Sequence, residues 1–508
     1  MPSVSSAARV ALLAFASVPL GSAVCLAGGP LGPNGTPIQT SDYAIDLYQG
    51  PVFAGSRVTG LAGAYVAISE DVDGDLQNPA SPAVRPFFSY SHFDYWIGFG
   101  LTFPATLNGV DFFNSGKPDG PKTGADSFLF FVPALNLQWG ELGVGLTLEL
   151  SSYALSGPQG AGDAGTQPAG VREATIAATI STFHLQLAHG FAHNQLVFGL
   201  GARITAFTLD EQKSGGSFNS SGNGYELGVV YKPERLPLRL GAALRTAIRT
   251  EALYKAQFLP DENGDLSITN AAGQTYYLPQ SVALPWDLNV GVAVQFGRPI
   301  NHPWRSSDER VESAVLTHRL GELEREKRKT AALAAAQTEQ ERQELRLALL
   351  REQLEDDQEL EVARDAGRNE AEQELVQLNR RYLQLSASLL VSGPVEKAIG
   401  VESFLSQTIH RSGQKTVYSP RLGAEVGVIP EWLKVRGGTY LEPTRFETSD
   451  PRLHGTFGLD LRLINWNVFG LWPDDYVWRL GAGGDTARDY FTWGVTIGGW
   501  YPRRRTPQ

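Results

Sequence analysis

The chain of 508 residues has a single cysteine, Cys25, which lies in an apolar N-terminal stretch. A mature chain that has lost that stretch has no thiol and needs no disulfide, which suits passage through an oxidising compartment. Outside the N-terminal stretch, no apolar run reaches the ~18 residues of a spanning helix. Cationic residues are not in excess: 43 Lys and Arg face 54 Asp and Glu, for a net charge of -11. That balance argues against nucleic acid as a partner. There is no Gly-rich phosphate loop, no Cys-x-x-Cys pair and no persuasive nucleophile motif, so neither an enzyme nor a cofactor is expected. His189 and His193 share a short turn, and Asp71–Asp75 and Asp261–Asp265 resemble pieces of a calcium loop. Both acidic pieces lack the full ligand spacing, and turn chemistry explains them without a metal.

What the chain does have is alternation. Leu142, Val144, Leu146, Leu148 and Leu150 fall on one face of an extended segment, with Gly143, Gly145, Thr147 and Glu149 on the other. Leu196, Phe198, Leu200, Ala202 and Ile204 oppose Val197, Gly199, Gly201 and Arg203; Phe457, Leu459, Leu461 and Leu463 oppose Gly458, Asp460 and Arg462. Tilted strands of about ten residues, apolar on one side, cross a bilayer as a closed barrel. A soluble β-sandwich also alternates. Loop length separates the two, because bacterial barrels pair short periplasmic turns with long outer loops.

Strands are expected near 87–103, 126–137, 141–152, 173–188, 194–209, 223–232, 237–251, 284–297, 380–392, 418–428, 433–442, 453–463, 466–481 and 490–501. Short connections at Gly140, 189–193, 233–236, 429–432 and Asn465 alternate with long ones at 104–125, 153–172, 210–222, 252–283, 393–417 and 443–452. This gives an all-β transmembrane barrel of about 14 antiparallel strands with both termini in the periplasm. Residues 87–297 carry strands one to eight and 380–501 carry strands nine to fourteen, followed by a tail at 502–508.

Residues 298–379 break the rule, standing where a short periplasmic turn is due. From Ser306 onward Glu, Arg, Gln, Ala and Leu dominate, and Leu316, Leu320 and Leu323 recur at helical spacing, as do leucines from Leu345 to Leu385. Ser307 or Asp308 suits a helix start. One straight helix of ~80 residues would reach ~120 Å, so a coiled-coil hairpin is expected. Its turn falls at Gly367 or at Glu355-Asp356-Asp357. By loop parity the hairpin hangs in the periplasm, as a self-contained coiled coil or as an arm for a periplasmic protein partner held through 306–385.

Residues 1–27 read as a signal peptide, with Arg9 ahead of the apolar run and small residues near Ala27; Val24 before Cys25 disfavours lipidation. Residues 28–86 precede the barrel. Within them lies a small-residue stretch, Gly55 to Ala80, that contains Arg57, Gly60, Gly63, Ala64, Ala67, Asp71, Asn78, Pro79 and Ala80. It resembles the N-terminal region of FadL-type outer-membrane transporters and their PorV-like relatives. Leu284-Pro285-Trp286 and Ser419 to Glu425 look similar as well. The resemblance implies a fourteen-stranded barrel whose N-terminal segment folds inside as a plug. It also implies passive uptake of hydrophobic small molecules such as long-chain fatty acids, with Gly60, Gly63, Asp71, Asn78, Pro79 and Ala80 as the plug motif. The plug either gates the lumen or only seals it. PorV-like relatives serve secretion machinery, so a scaffold that recruits envelope partners through its helical arm is the second reading.

On the inferred lumen face lie Arg203, Arg239, Arg245, Arg249, Arg421, Arg436 and Arg462, with Glu149, Glu425 and Asp460. Arginine matches a carboxylate through its bidentate fork. Arg203, Arg245, Arg436 and Arg462 are the head-group candidates. Cross-strand ion pairs that fill a polar lumen account for the same residues. Partners are then outer-membrane lipid and a hydrophobic ligand.

Overall fold

The computed structural model describes residues 30–499 apart from 87–88, 90–91, 105–110, 112, 117–127, 157–174, 212–216, 254–261, 270–274, 302, 306, 336–337, 339, 345–346, 348–357, 368, 371–380, 431, 448 and 466–476. The expected signal peptide and tail lie outside this set.

Fourteen antiparallel strands close into a barrel. They are β1 (Phe93–Pro104), β2 (Phe128–Trp139), β3 (Leu142–Ser156), β4 (Thr175–Phe191), β5 (Leu196–Glu211), β6 (Ser217–Tyr231), β7 (Leu238–Arg245), β8 (Asp287–Phe296), β9 (Leu383–Ser392), β10 (Val417–Ile429), β11 (Leu433–Glu442), β12 (Arg452–Asn465), β13 (Val477–Ala487) and β14 (Tyr490–Gly499). β14 returns to β1 through pairs such as Phe99 with Ile497, which removes both sheet edges. The alternation works as expected. Leu187, Leu200 and Leu422 are exposed at 53%, 54% and 56%, while Gln186, Glu425 and Asp460 are buried. The outward apolar belt meets lipid and the polar set fills the lumen.

Three features depart from the sequence pattern. β7 breaks at Thr246–Ala247 and resumes as Ile248–Leu253, and the strand before β8, Ser281–Leu284, breaks at Pro285–Trp286. The break in β7 shifts the alternation by one residue, so Ile248 and Thr250 point inward and Arg249 faces outward, not into the lumen as expected. At the last pair of strands the loop rule inverts. β13 is described from Val477, the expected start near 466 lying outside the described residues, and joins β14 across Arg488 and Asp489. Asp489 has φ 55, a turn value.

The insertion begins with helix α1 (Ser307–Ala335) and folds back as a hairpin. Arg310 pairs with Glu370 and His318 with Glu359, and Gly367 lies against Val311. Gly367 is therefore near the base of the hairpin and not at its turn. The chain reverses near Thr338, whose hydroxyl accepts from the Glu341 N–H at 3.3 Å while the Glu341 carboxylate accepts from the Thr338 N–H at 3.2 Å. That reciprocal pair is a capping box that starts the returning helix. The alternative turn at Glu355–Asp357 lies outside the described residues. No helix among the described residues is long and apolar enough to cross a membrane.

Residues 30–47 pack among the long connections. The short strand Ala44–Asp46 pairs in parallel with Ser281–Leu284 on one side and Ala398–Gly400 on the other. From there the chain passes through the lumen to Arg85 at the short-turn end. The first described residues thus sit at the opposite end of the barrel from the last described residues of β14; the termini, expected together in the periplasm, lie outside the described residues.

Candidate functional site: the lumen segment and its cavity

Residues 52–85 fill the lumen because the wall has made room for their backbone. The lumen-facing glycines of β3, β5, β6 and β7 receive them. A Cβ at Gly143 would come within 2.2 Å of Pro82, at Gly199 within 2.1 Å of Pro79, at Gly228 within 2.0 Å of the Asn78 amide oxygen and at Gly241 within 2.2 Å of Val66. Gly60 lies against Gly458 with 3.0 Å from its would-be Cβ to the Gly458 Cα. Gly63 has φ +73 and abuts the Arg421 guanidinium, so it needs both a left-handed backbone and the missing side chain. Asn78 is the polar anchor. Its amide nitrogen donates to the carbonyls of Val66 (2.9 Å), Val229 (3.1 Å) and Ala242 (3.3 Å), and its oxygen accepts from the Ala80 N–H (3.0 Å). Pro79 beside it has no N–H to satisfy, and Ala80 is fully buried. Of the expected motif, Gly60 and Gly63 thus meet β12 and β10, while Asn78, Pro79 and Ala80 meet β5 and β6.

Charges hold the middle of the segment. Arg57 pairs with Glu425 of β10 at 3.1 Å and with Glu70 and Asp71 at 3.4 Å. Glu425 also takes Arg436 at 2.5 Å, Arg436 reaches Asp460 at 2.6 Å, and Asp460 reaches Arg479 at 3.2 Å. Arg479 closes the chain on Asp73, and Arg239 pairs with Glu70 at 2.9 Å. Asp71 adopts φ 54 and ψ -165, a region that glycine tolerates and other residues enter only under constraint. Its carboxylate accepts from the Asp73 N–H at 2.9 Å. Burial, and then the neighbouring Asp73 carboxylate, push the Asp71 carboxyl up to about 6. Burial works on Glu70 the same way, but Arg239 and then Arg57 outweigh it and hold Glu70 below the usual carboxylate range. Burial raises Asp75, although Asn136 and Thr147 donate to its two oxygens at 2.9 and 3.1 Å. The acidic run that resembled a calcium loop thus spends its carboxylates on arginines and hydrogen bonds. In the second such run, the Asp265 carboxylate accepts from the Ser41 N–H at 2.7 Å and from Thr40; Asp261 lies outside the described residues.

Above this layer is a cavity of about 190 Å³ lined by residues 47–53, Gln77 and the inward side chains of the wall. Leu47, Val52, Phe53, Phe130, Ile180 and Leu390 supply apolar surface; Arg203, Arg245 and Arg421 supply positive charge. The volume compares with roughly 150 Å³ for a cavity that takes up benzene, and with about 300 Å³ or more for a drug-sized pocket. It fits one ring, or the head and first carbons of a longer amphiphile.

The four head-group candidates separate. Arg245 lines the cavity but is neutralised by Glu226 (3.4 Å) and Asp287 (3.2 Å). Arg436 is enclosed in the Glu425–Asp460 chain. Arg462 lies at the short-turn rim over the Trp432 ring, at 5.3 Å. Arg203 lines the cavity and is 6% exposed; it donates to the Thr246 carbonyl at 2.7 Å and leaves its Nε without a partner. Arg421, on the expected lumen face but not singled out from sequence, joins it there and bonds Ser419 at 3.4 Å. Among the described residues, neither Arg203 nor Arg421 forms an ion pair. The other acids of the region are engaged, since His184 sits between Glu149 (3.1 Å) and Glu226 (3.4 Å).

No family model matches the sequence, and no curated protein matches it. Solved structures do. The toluene transporter TodX of P. putida is 11% identical, with 90% of this chain and 100% of that chain covered at a TM-score of 0.45. The CymD monoaromatic hydrocarbon channel is 9% identical, with 89% and 97% covered at 0.45. A FadL homologue of Pseudomonas aeruginosa is 11% identical, with 91% and 98% covered at 0.37. At these identities and TM-scores the likeness carries no further argument; the fourteen-stranded barrel rests on this chain's own strand pairing.

Proposed function

We propose that the chain is an outer-membrane channel for passive uptake of hydrophobic small molecules such as long-chain fatty acids, gated by its N-terminal plug. The observation that carries this reading is the cavity over the plug, a mixed pocket in which Leu47, Phe53, Phe130 and Ile180 stand beside two buried arginines, Arg203 and Arg421, that form no ion pair among the described residues. A ligand enters from the long-loop end and rests in the cavity. It passes on when the segment around Asn78 leaves its glycine-lined seat. Arg203 and Arg421 suit a carboxylate head group; the 190 Å³ volume holds the head and not a whole long chain, so passage requires the plug to move. The helical insertion and the end of β14 then lie in the periplasm, at the short-turn end.

The scaffold reading draws support from one feature. Leu316, Leu320 and Leu323 are 58%, 56% and 52% exposed on α1, on the side away from His318 and Arg325, which face the returning helix. An envelope protein docking there would make the barrel an anchor. Uptake of a labelled long-chain fatty acid by cells producing the full chain, or a chain lacking 306–379, distinguishes the two. Transport that survives the deletion supports the channel. Absence of uptake above background in both, with the barrels present in the outer membrane at equal levels, removes it.

A further inference from the structure

The root of the insertion does more than connect β8 to the hairpin. After Phe296 the chain turns at Gly297 (φ +91) and runs beneath the lumen, where residues 298–301 and 303–305 are described. Ile300 is 3% exposed and belongs to the same apolar cluster as Val58, Leu61, Tyr65 and Ile68 of the plug. The Asn301 amide lies 2.8 Å from each of the carbonyls of Pro233, Leu236 and Leu238, and its oxygen accepts from Arg239 Nε at 3.0 Å. Arg239 binds both layers at once: it donates to the Ile68 carbonyl of the plug (2.9 Å) and to the Ile300 carbonyl of the root (2.5 Å). The Trp304 backbone N–H donates to the His193 carbonyl, in the turn between β4 and β5, at 2.9 Å. Its ring is covered by the Arg85 guanidinium at 4.6 Å, where the plug leaves the lumen.

A short segment therefore runs from the end of β8 past the turn between β6 and β7 to the turn between β4 and β5, held at both ends and packed on the plug. We propose that residues 297–305 are a strap that forms a second gate in series with the plug. The hairpin that continues from Trp304 is placed to lift it. Two seals in series follow, one at the Asn78 seat and one at the strap, joined through Arg239. This rests on the channel reading, but its test does not require a hydrophobic ligand.

The test is potassium chloride conductance of the purified full chain in planar bilayers. Asn78→Ala loosens the plug; Asn301→Ala with Trp304→Ala loosens the strap. Each set alone is expected to stay within about twofold of wild type, because the other seal remains. The combined variant is expected to conduct at least tenfold more. A chain in which 308–379 is replaced by a short Gly-Ser linker keeps the strap and is expected to conduct as wild type does. Heat-modifiable gel mobility confirms the barrel in every variant. If the combined variant does not insert, Asn78→Ala with Trp304→Ala alone takes its place, with a smaller rise expected. The proposal is overturned if Asn78→Ala alone conducts as much as the combination. It is also overturned if the combination stays at the wild-type level while hydrogen exchange shows its plug released.

Discussion

Replacing Asn78 by Ala probes the plug seat most sharply. The change removes the two amide N–H donors, which reach the carbonyls of Val66, Val229 and Ala242, and one acceptor, used by Ala80. The lost bonds are not equivalent. Val66 keeps a second partner in the Ser69 hydroxyl at 2.7 Å, and Val229 and Ala242 belong to the strand ladder of β6 and β7. The Ala80 N–H, fully buried, is the group left without an acceptor. An orphaned buried donor costs about 1–3 kcal/mol and an ordinary hydrogen bond contributes about 1 kcal/mol. The sum, roughly 2–4 kcal/mol of docking free energy, raises the released fraction of the plug by ~30- to ~1000-fold, at one decade per ~1.4 kcal/mol. Hydrogen exchange reads this directly. Peptides from residues 57–85 should exchange faster by that factor in Asn78→Ala, with the protection of β3, β5 and β6 unchanged. Asn78→Asp keeps the acceptor for Ala80 but points an oxygen at three carbonyls, and it should loosen the plug as well. Wild-type protection in Asn78→Ala would refute the reasoning. Equal loss of protection in the wall would show that Asn78 supports the barrel and not the plug alone.

Four further outcomes follow from the same contacts. Gly228→Val puts a side chain where the Asn78 oxygen sits 2.0 Å from the would-be Cβ, so it should expel the plug and speed its exchange while the barrel keeps its heat-modifiable mobility. The docked plug holds the Asp71 proton more tightly than a released one, since its carboxyl is raised from 3.8 to about 6. That contribution to docking is complete below 3.8 and is lost as pH rises through about 6; Glu70, shifted the other way, contributes fully above its ordinary 4.5 and loses that contribution only as pH falls below it. Plug exchange, corrected for its intrinsic pH dependence, should thus slow at least tenfold between pH 7.5 and pH 5 in wild type, and Asp71→Asn should lose about a tenfold share of that, with Asp75, raised in the same direction, keeping the rest. Arg203→Ala should weaken binding of a long-chain carboxylate by ~10-fold or more, as expected for a lost charge-assisted bond, and leave a neutral monoaromatic compound unaffected in the same calorimetric titration. Replacing 308–379 by a Gly-Ser linker should leave the barrel intact, because β8 and β9 pair directly from Asp287 with Ser392 to Phe296 with Leu383; circular dichroism should lose helix signal alone.

The wall was legible because lipid and lumen impose opposite demands on successive residues, and that demand is written at a period of two. It was least legible where the residues carry little contrast. β6 begins at Ser217, through Ser-Phe-Asn-Ser-Ser-Gly-Asn-Gly, and the middle of β13 is Gly481-Ala482-Gly483-Gly484; neither shows an apolar face. The phase change at Thr246–Ala247 has no local signature, which is why Arg249 was assigned to the wrong side. The capping box at Thr338 and Glu341 was readable, but Gly367 competed for the turn. The plug motif identified a small-residue segment. What it meets was beyond the sequence, because Gly143, Gly199, Gly228 and Gly241 sit on four strands and only tertiary packing brings each to its plug residue. The same holds for the arginines. Composition put seven of them near the lumen, and only ion-pair geometry shows that Arg203 and Arg421 keep their charge available.

The central claim, that ligand passes only when the plug moves, is tested most directly by locking the plug to the wall. A Cβ at Gly481 would lie 3.3 Å from the Ser56 Cβ, near the ~3.5–4.5 Å that a disulfide requires. In a Cys25→Ser background, Ser56→Cys with Gly481→Cys places one bond between plug and β13. Uptake of labelled long-chain fatty acid should be absent in oxidised cells and should return to the level of the background chain on reduction. Equal uptake before and after reduction, with the disulfide confirmed by mass spectrometry, would contradict the account.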